Sequence, residues 1–134
     1  MTLIDFIKNN DVDYSFNRIT IDMIPDYENK VDVLFGEQLK KYVVEYGYLG
    51  YKHVELFGIN NYQGINSDMV NKTLRLHEKF DKTRDLIAIE DQGEGDYYLV
   101  DSNDMVFRFI LANNELEPQK IDLFEYILKR FLIA

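Results

Sequence analysis

Along this chain, stretches with apolar residues every three or four positions give way to stretches where apolar and polar residues alternate. Leu3, Phe6 and Ile7 have the first spacing and predict a short helix over residues 2–9, stopped at Asn9-Asn10-Asp11. Ile19, Ile21 and Met23 alternate with Thr20 and Asp22, as in a short strand. Asp26 is placed to cap a helix from Tyr27 to Phe35, closed by Gly36. In "EQLKKYVVEYG", Leu39, Tyr42, Val43 and Tyr46 form one helical face, Lys40, Lys41 and Glu45 lie on the other, and Gly47 ends the helix.

"YKHVELFGIN" returns to alternation. It predicts a strand with Val54 and Leu56 on one side and His53, Glu55 and Phe57 on the other. The next helix carries Met69, Thr73, Leu76 and Phe80 as its buried stripe; Asn66 or Ser67 is its predicted cap, with Asp68 at the positive end of its dipole. "LIAIE" at 86–90 reads as a fully buried strand, central in its sheet. "DYYLVD" and "MVFRFI" follow as strands, with turns over 91–96 and 102–104. The last helix lies in "IDLFEYILKRFLIA", capped by Asp122 with Glu125 three positions on, and with Ile121, Phe124, Ile127, Leu128 and Phe131 as its apolar face. The links between strands after residue 90 are too short for parallel crossovers. The expected fold is therefore α+β: a mainly antiparallel sheet of about four to six strands with helices packed on it. No repeat or linker interrupts the pattern, so residues 1–134 are expected to form one domain.

Composition narrows the chemistry. With 46% apolar residues, nine Phe and ten Tyr, the chain has enough apolar surface for a core. It has no cysteine, which removes disulfides, thiolate catalysis and cysteine-ligated zinc. Its 24 acids against 15 bases give a net charge of −9, the wrong sign for a nucleic-acid surface. The segment "MTLIDFIKNN" lacks an apolar leader, and no apolar run approaches the roughly 20 residues that cross a bilayer, so a soluble cytoplasmic protein is expected, with no membrane partner.

The densest charge lies between residues 89 and 107, where Glu90, Asp91, Glu94, Asp96, Asp101 and Asp104 occur with no Lys, Arg or His. The spacing does not match a calcium loop, and acids at the glycine turn Gly93–Gly95 are expected to stay solvated, which suits neither metal binding nor acid–base catalysis. The glycine-rich loops match no phosphate-binding pattern, and neither histidine falls in a nucleophile motif. His77, beside Glu78 and Arg75, reads as a surface residue; His53 reads as half-buried packing. No catalytic residue, cofactor or metal site is therefore expected. What remains is binding. Tyrosines beside acids suit a protein interface, because the ring buries area while the hydroxyl tolerates water.

The helical pair "IPDYENKVDVLFGEQLKKYVVEYG", then "LIAIEDQGEGDYYLVDSNDMVFRF" and the closing "IDLFEYILKRF" resemble the Smi/Knr-type domain of the SUKH superfamily. The matching stretches are Leu39 to Gly47, Leu86 to Asp101 and Leu123 to Leu128; the Leu-Pro usual before the second helix is Glu37-Gln38-Leu39 here, and tryptophan is absent. The resemblance implies a non-catalytic immunity protein that binds and neutralises a cognate toxin, with a basic C-terminal toxin domain, such as a nuclease, as partner. An intracellular regulatory or scaffold module of the same fold is the alternative, ahead of a small-ligand or metal-binding domain. The expected contact residues are Asp91, Glu94, Asp96 and Tyr97 at the hairpin, with Tyr48, Tyr51 and Tyr62 nearby.

Overall fold

A computed structural model describes residues 1–15, 19–59 and 68–134. Helix α1, Leu3–Asn9, opens on a reciprocal cap: the Asp5 amide donates to Thr2 Oγ1 and the Thr2 amide to the Asp5 carboxylate, both at 3.2 Å. The bonds from Thr2 hold the Asp5 carboxyl below its ordinary pKa. Phe6 packs its ring against Tyr51 and Phe131, at 5.1 and 5.7 Å.

The alternation at 19–23 does not become a strand. After strand β1, Asp13–Tyr14, residues Ile21–Met23 make one 3₁₀ turn that runs into helix α2, Ile24–Val31. Pro25 lies in the first turn of α2, where its fixed φ and missing N–H cost nothing, so the helix begins before Asp26. It ends at Asp32, which adopts a left-handed φ of 56°, short of Phe35. Val33 and Phe35 then turn inward while Leu34 stays 68% exposed.

Helix α3, Glu37–Glu45, buries Leu39, Tyr42 and Val43 completely, and Gly47 (φ 71°) closes it. The single strand expected over "YKHVEL" is instead a hairpin. Lys52, with φ 52°, separates strand β2, Leu49–Tyr51, from strand β3, Val54–Glu55, and the three strands form an antiparallel sheet in the order β1-β2-β3. Helix α4, Met69–Lys79, is capped by Asp68 itself, whose carboxylate accepts from the Val70 amide at 3.3 Å; Asn66 and Ser67 lie outside the described residues. His77 is buried rather than superficial: its Nε2 is 2.8 Å from the Leu86 carbonyl. His53 has the opposite fate and is exposed in the β2–β3 turn.

Strands β4 (Ile87–Asp91), β5 (Asp96–Val100), β6 (Met105–Ile110) and β7 (Glu115–Asp122) form an antiparallel sheet in that order. β4 is therefore terminal, not central. It is apolar because other elements cover its free edge: Phe57 donates its amide to the Ile89 carbonyl (2.7 Å), and the Ala88 amide donates to Thr73 Oγ1 (2.9 Å). A register shift between Ala88 and Glu90 lets Ile87, Ala88, Ile89 and Glu90 all be buried. β7 answers to no expectation from the sequence; it is a polar edge strand with Pro118 opposite Phe107. Cross-strand partners Tyr97, Phe109 and Leu116 line one face of this sheet, where Phe80 meets Phe109 at 5.0 Å. Tyr98, Arg108 and Glu117 line the other, where Tyr126 of helix α5, Leu123–Leu132, stacks on Tyr98 at 5.0 Å.

Asp122 caps α5 as expected, accepting from the Glu125 amide at 2.9 Å. The buried stripe of α5 is Leu123, Tyr126, Ile127 and Phe131, with Phe124 and Leu128 at its margin. The architecture is α+β with antiparallel sheets of three and four strands, and one hydrophobic cluster runs through both. Among the described residues no helix is long and apolar enough to cross a membrane.

Thr73 is completely buried, and its Oγ1 accepts the Ala88 amide at 2.9 Å. Thr73→Val keeps the shape but orphans that amide, and is expected to lower unfolding stability by about 1–3 kcal/mol in a urea titration. Thr73→Ser restores the acceptor and is expected to lose less.

Candidate functional site

The six carboxylates of residues 90–104 are sorted by the fold into three kinds. Two are buried. Asp104, with φ 63°, turns inward from the β5–β6 turn and accepts from the Gln38 and Leu39 amides at 2.9 and 3.0 Å, so that it caps α3 from a distant part of the chain. Burial raises the Asp104 pKa, while those two amide bonds pull it down. Glu90 is 2% exposed and lies under α5. Arg130 grips it with two bonds, Nε to Oε1 at 2.9 Å and Nη2 to Oε2 at 2.7 Å, and the Tyr126 hydroxyl donates to Oε1. Burial, then the Glu90 carboxylate, push the Tyr126 phenol far above the ordinary tyrosine range, so it stays a donor. Gln92 Nε2 closes the network with a 3.0 Å bond to the Tyr126 oxygen.

Asp96 and Asp101 are held by internal bonds. Asp96 pairs with Arg108 at 2.7 Å, and Arg108 reaches Glu117 at 3.2 Å, a charged rung across β5, β6 and β7. Asp101 accepts from the Asn103 and Met105 amides, both at 2.9 Å, and so holds the next turn.

Asp91 and Glu94 remain at the surface. Asp91 accepts from the Gly93 amide at 2.8 Å. Gly93, Glu94 and Gly95 all take positive φ, 86°, 57° and 84°, which the two glycines permit without strain. Both carboxylates are exposed, and among the described residues neither has a cation within ion-pair distance.

Of the tyrosines expected beside these acids, Tyr97 stands there, opposite Asp91, while Tyr48 and Tyr51 are taken up in packing. Tyr48 is 6% exposed, and its ring fills space left by two glycines: a Cβ on Gly50 would fall 2.5 Å from the Tyr48 hydroxyl, and one on Gly58 would fall 2.5 Å from Tyr48 Cβ. Tyr51 is half-buried in the Phe6–Phe131 cluster. Tyr97 is half-buried beside Asp91; burial and then that carboxylate raise its pKa. Tyr62 lies outside the described residues.

Asp91 also joins a polar groove of about 390 Å³ whose other lining includes His53, Glu55, Lys72, Gln92 and Arg130, with the buried Glu90 among them. The groove runs beside the β2–β3 turn, the end of β4 and α5. Sequence reasoning missed Arg130, Lys72 and His53 as members of this site. The one available signal was Glu90 itself, an acid ending an otherwise apolar strand, which calls for a buried cation. The groove is open and carries mixed charge, with carboxylates, an ammonium and a guanidinium in its lining. Among the described residues no group of three or more histidine and carboxylate side chains is placed to hold a metal ion.

No curated protein matches the chain significantly. The sequence family SUKH_5, described as SMI1-KNR4 cell-wall, matches residues 2–132, which takes in every helix and strand given above. With an antiparallel α+β fold of that kind and a match over nearly its whole length, the chain belongs to the SMI1-KNR4 family of SUKH domains.

Proposed function

We propose that this chain is a non-catalytic immunity protein, acting as one unit over residues 1–134, that binds a basic toxin domain and holds it inactive. The family is generally non-catalytic and its membership is consistent with an immunity role. The observation that carries the reading further is the end of the β4–β5 hairpin. Asp91 and Glu94 stand exposed on a protein of net charge −9, with no cation within ion-pair distance among the described residues, whereas the acids around them are buried or ion-paired or hold a turn. Such a tip attracts a basic surface at long range, and the polar groove beside it offers shape and further charge for the docked state. A nuclease domain has the matching sign, since it must hold phosphates. Tyr97 fits this contact from the flank; Asp96 fits it as the ion-paired base of the hairpin; Tyr48 and Tyr51 act from beneath the surface in this reading.

The test pairs this chain with a protein carrying a basic C-terminal domain, sought among the products of the genes beside its own. Stopped-flow mixing is expected to show a 1:1 complex whose association slows with salt, and co-expression is expected to rescue cells from that toxin. The pair Asp91→Lys and Glu94→Lys is expected to slow association about tenfold or more at low salt, with a smaller change in dissociation. An unchanged association rate would move the contact off the hairpin. Failure of co-expression to rescue growth would overturn the immunity role itself.

A further inference from the structure

Along α4, beside the polar groove and sharing Lys72 with it, the sign of the charge reverses. Lys72, Arg75 and Lys79 stand at i, i+3 and i+7 of α4, so they share one helical face. They border a groove of about 250 Å³ whose apolar lining includes Phe80, Tyr97 and Leu111. Lys40, Arg84, Arg108, Lys129 and Arg130 are each paired with a carboxylate, whereas Lys8, Lys30, Lys41, Lys52, Lys82 and Lys120, like the three on α4, have none within ion-pair distance among the described residues. What sets the three on α4 apart is that they stand together on one helical face against an apolar groove, on a protein that carries nine more negative charges than positive. Lys82 follows in the turn after the helix, its ammonium bonded to the Asn114 carbonyl at 2.8 Å. A row of like charges in one turn-to-turn line is mildly unfavourable when nothing answers it. An anion laid along it would relieve that repulsion.

The groove's size bears on the ligand. Pockets for whole small molecules run from roughly 300 to 1,000 Å³. This one is smaller and accommodates one large apolar side chain. We propose that it docks a short acidic peptide segment: one aromatic or branched aliphatic residue seated against Phe80, Tyr97 and Leu111, with flanking carboxylates on Arg75, Lys79 and Lys72. Asp91 lies near the Tyr97 ring, so the peptide's carboxylates run toward Arg75 and Lys79, away from that acid. A basic toxin domain would be repelled by Arg75 and Lys79, which makes this a second surface, adjoining the first at Lys72 and Tyr97, with a partner of opposite charge. The apolar lining and the overall negative charge favour a peptide over a nucleic acid, whose binding needs a larger basic face.

The probe is a fluorescein-labelled heptapeptide with Phe at its centre and Asp or Glu at the other six positions, read by fluorescence anisotropy. Saturable binding that weakens with salt is expected. The triple variant Lys72→Glu, Arg75→Glu and Lys79→Glu is expected to weaken it about tenfold or more, and the triple glutamine variant several-fold, with the circular dichroism of the native protein retained in both. Leu111→Ser, or Ser in place of the peptide's Phe, is expected to weaken it several-fold as well. Binding unaffected by either triple variant would overturn the proposal, as would no binding at about 1 mM protein, where a contact this small should register. Tighter binding of an oligothymidine than of the peptide would also overturn it and assign the surface to nucleic acid.

Discussion

Replacing Arg130 with Ala is expected to lower the unfolding free energy by about 3–5 kcal/mol, a large share of the roughly 5–15 kcal/mol that holds a domain of this size. The reason lies in what is left behind. Glu90 has 2% exposure and receives three hydrogen bonds, two of them from the Arg130 guanidinium. Without that guanidinium the carboxylate stays under α5 with only the Tyr126 hydroxyl. The loss is far greater than the worth of the ion pair itself, because desolvation had already cost most of what the pair returns. The double variant Glu90→Leu and Arg130→Met tests this distinction. With both charges gone it is expected to fall within about 1–2 kcal/mol of the natural protein. Urea unfolding of the three proteins, compared at equal slope, measures both terms. A single Arg130→Ala loss below about 1 kcal/mol would mean that water entering the groove replaces the guanidinium.

The second large effect is expected at Asp104. Asp104→Ala removes the acceptor for two amides at the start of α3, one of them on Leu39, which has no exposure and so no access to water. It also puts alanine at φ 63°, a region that Asp tolerates better. Together these are expected to cost about 2–3 kcal/mol in thermal or urea unfolding. Asp104→Asn keeps one acceptor and the turn preference, and about half the loss is expected. Gly36→Ala attacks the same joint from the other side, since its Cβ would lie 2.4 Å from the Asp104 carboxylate. A full-sized loss for Asp104→Asn would show that the second carboxylate oxygen, not the turn, sets the energy.

How far such features could be read in advance depended on how local they are. The elements whose partners lie within a few residues were legible: the cap at Asp122, the apolar face of α3, and the turn at Gly93–Gly95. Patterns that depend on distant chain were not. Ile19–Met23 alternates like a strand, but no neighbouring strand pairs with it and Pro25 starts a helix there instead. "YKHVEL" alternates too, yet Lys52 folds it back on itself. β7 has too little apolar alternation to announce itself and exists because β6 supplies its hydrogen bonds. The acids illustrate the same limit. Spacing alone put six carboxylates in one patch, but Glu90 meets Arg130 forty residues on, and Asp104 meets Leu39 sixty-five residues back. Which acids face solvent was decided by those pairings.

One rim of the four-stranded sheet is covered and the other is interrupted. Phe57 occupies the outer side of β4, and β7 presents Pro118, which lacks an amide hydrogen, and Lys120, whose φ of 61° breaks the extended line. Intruding strands from other molecules therefore find no continuous ladder to extend, which guards a crowded, tyrosine-rich chain against fibrous self-assembly. The same arrangement confines recognition to outward-pointing side chains, so that specificity can drift by surface substitution while the scaffold beneath keeps its register.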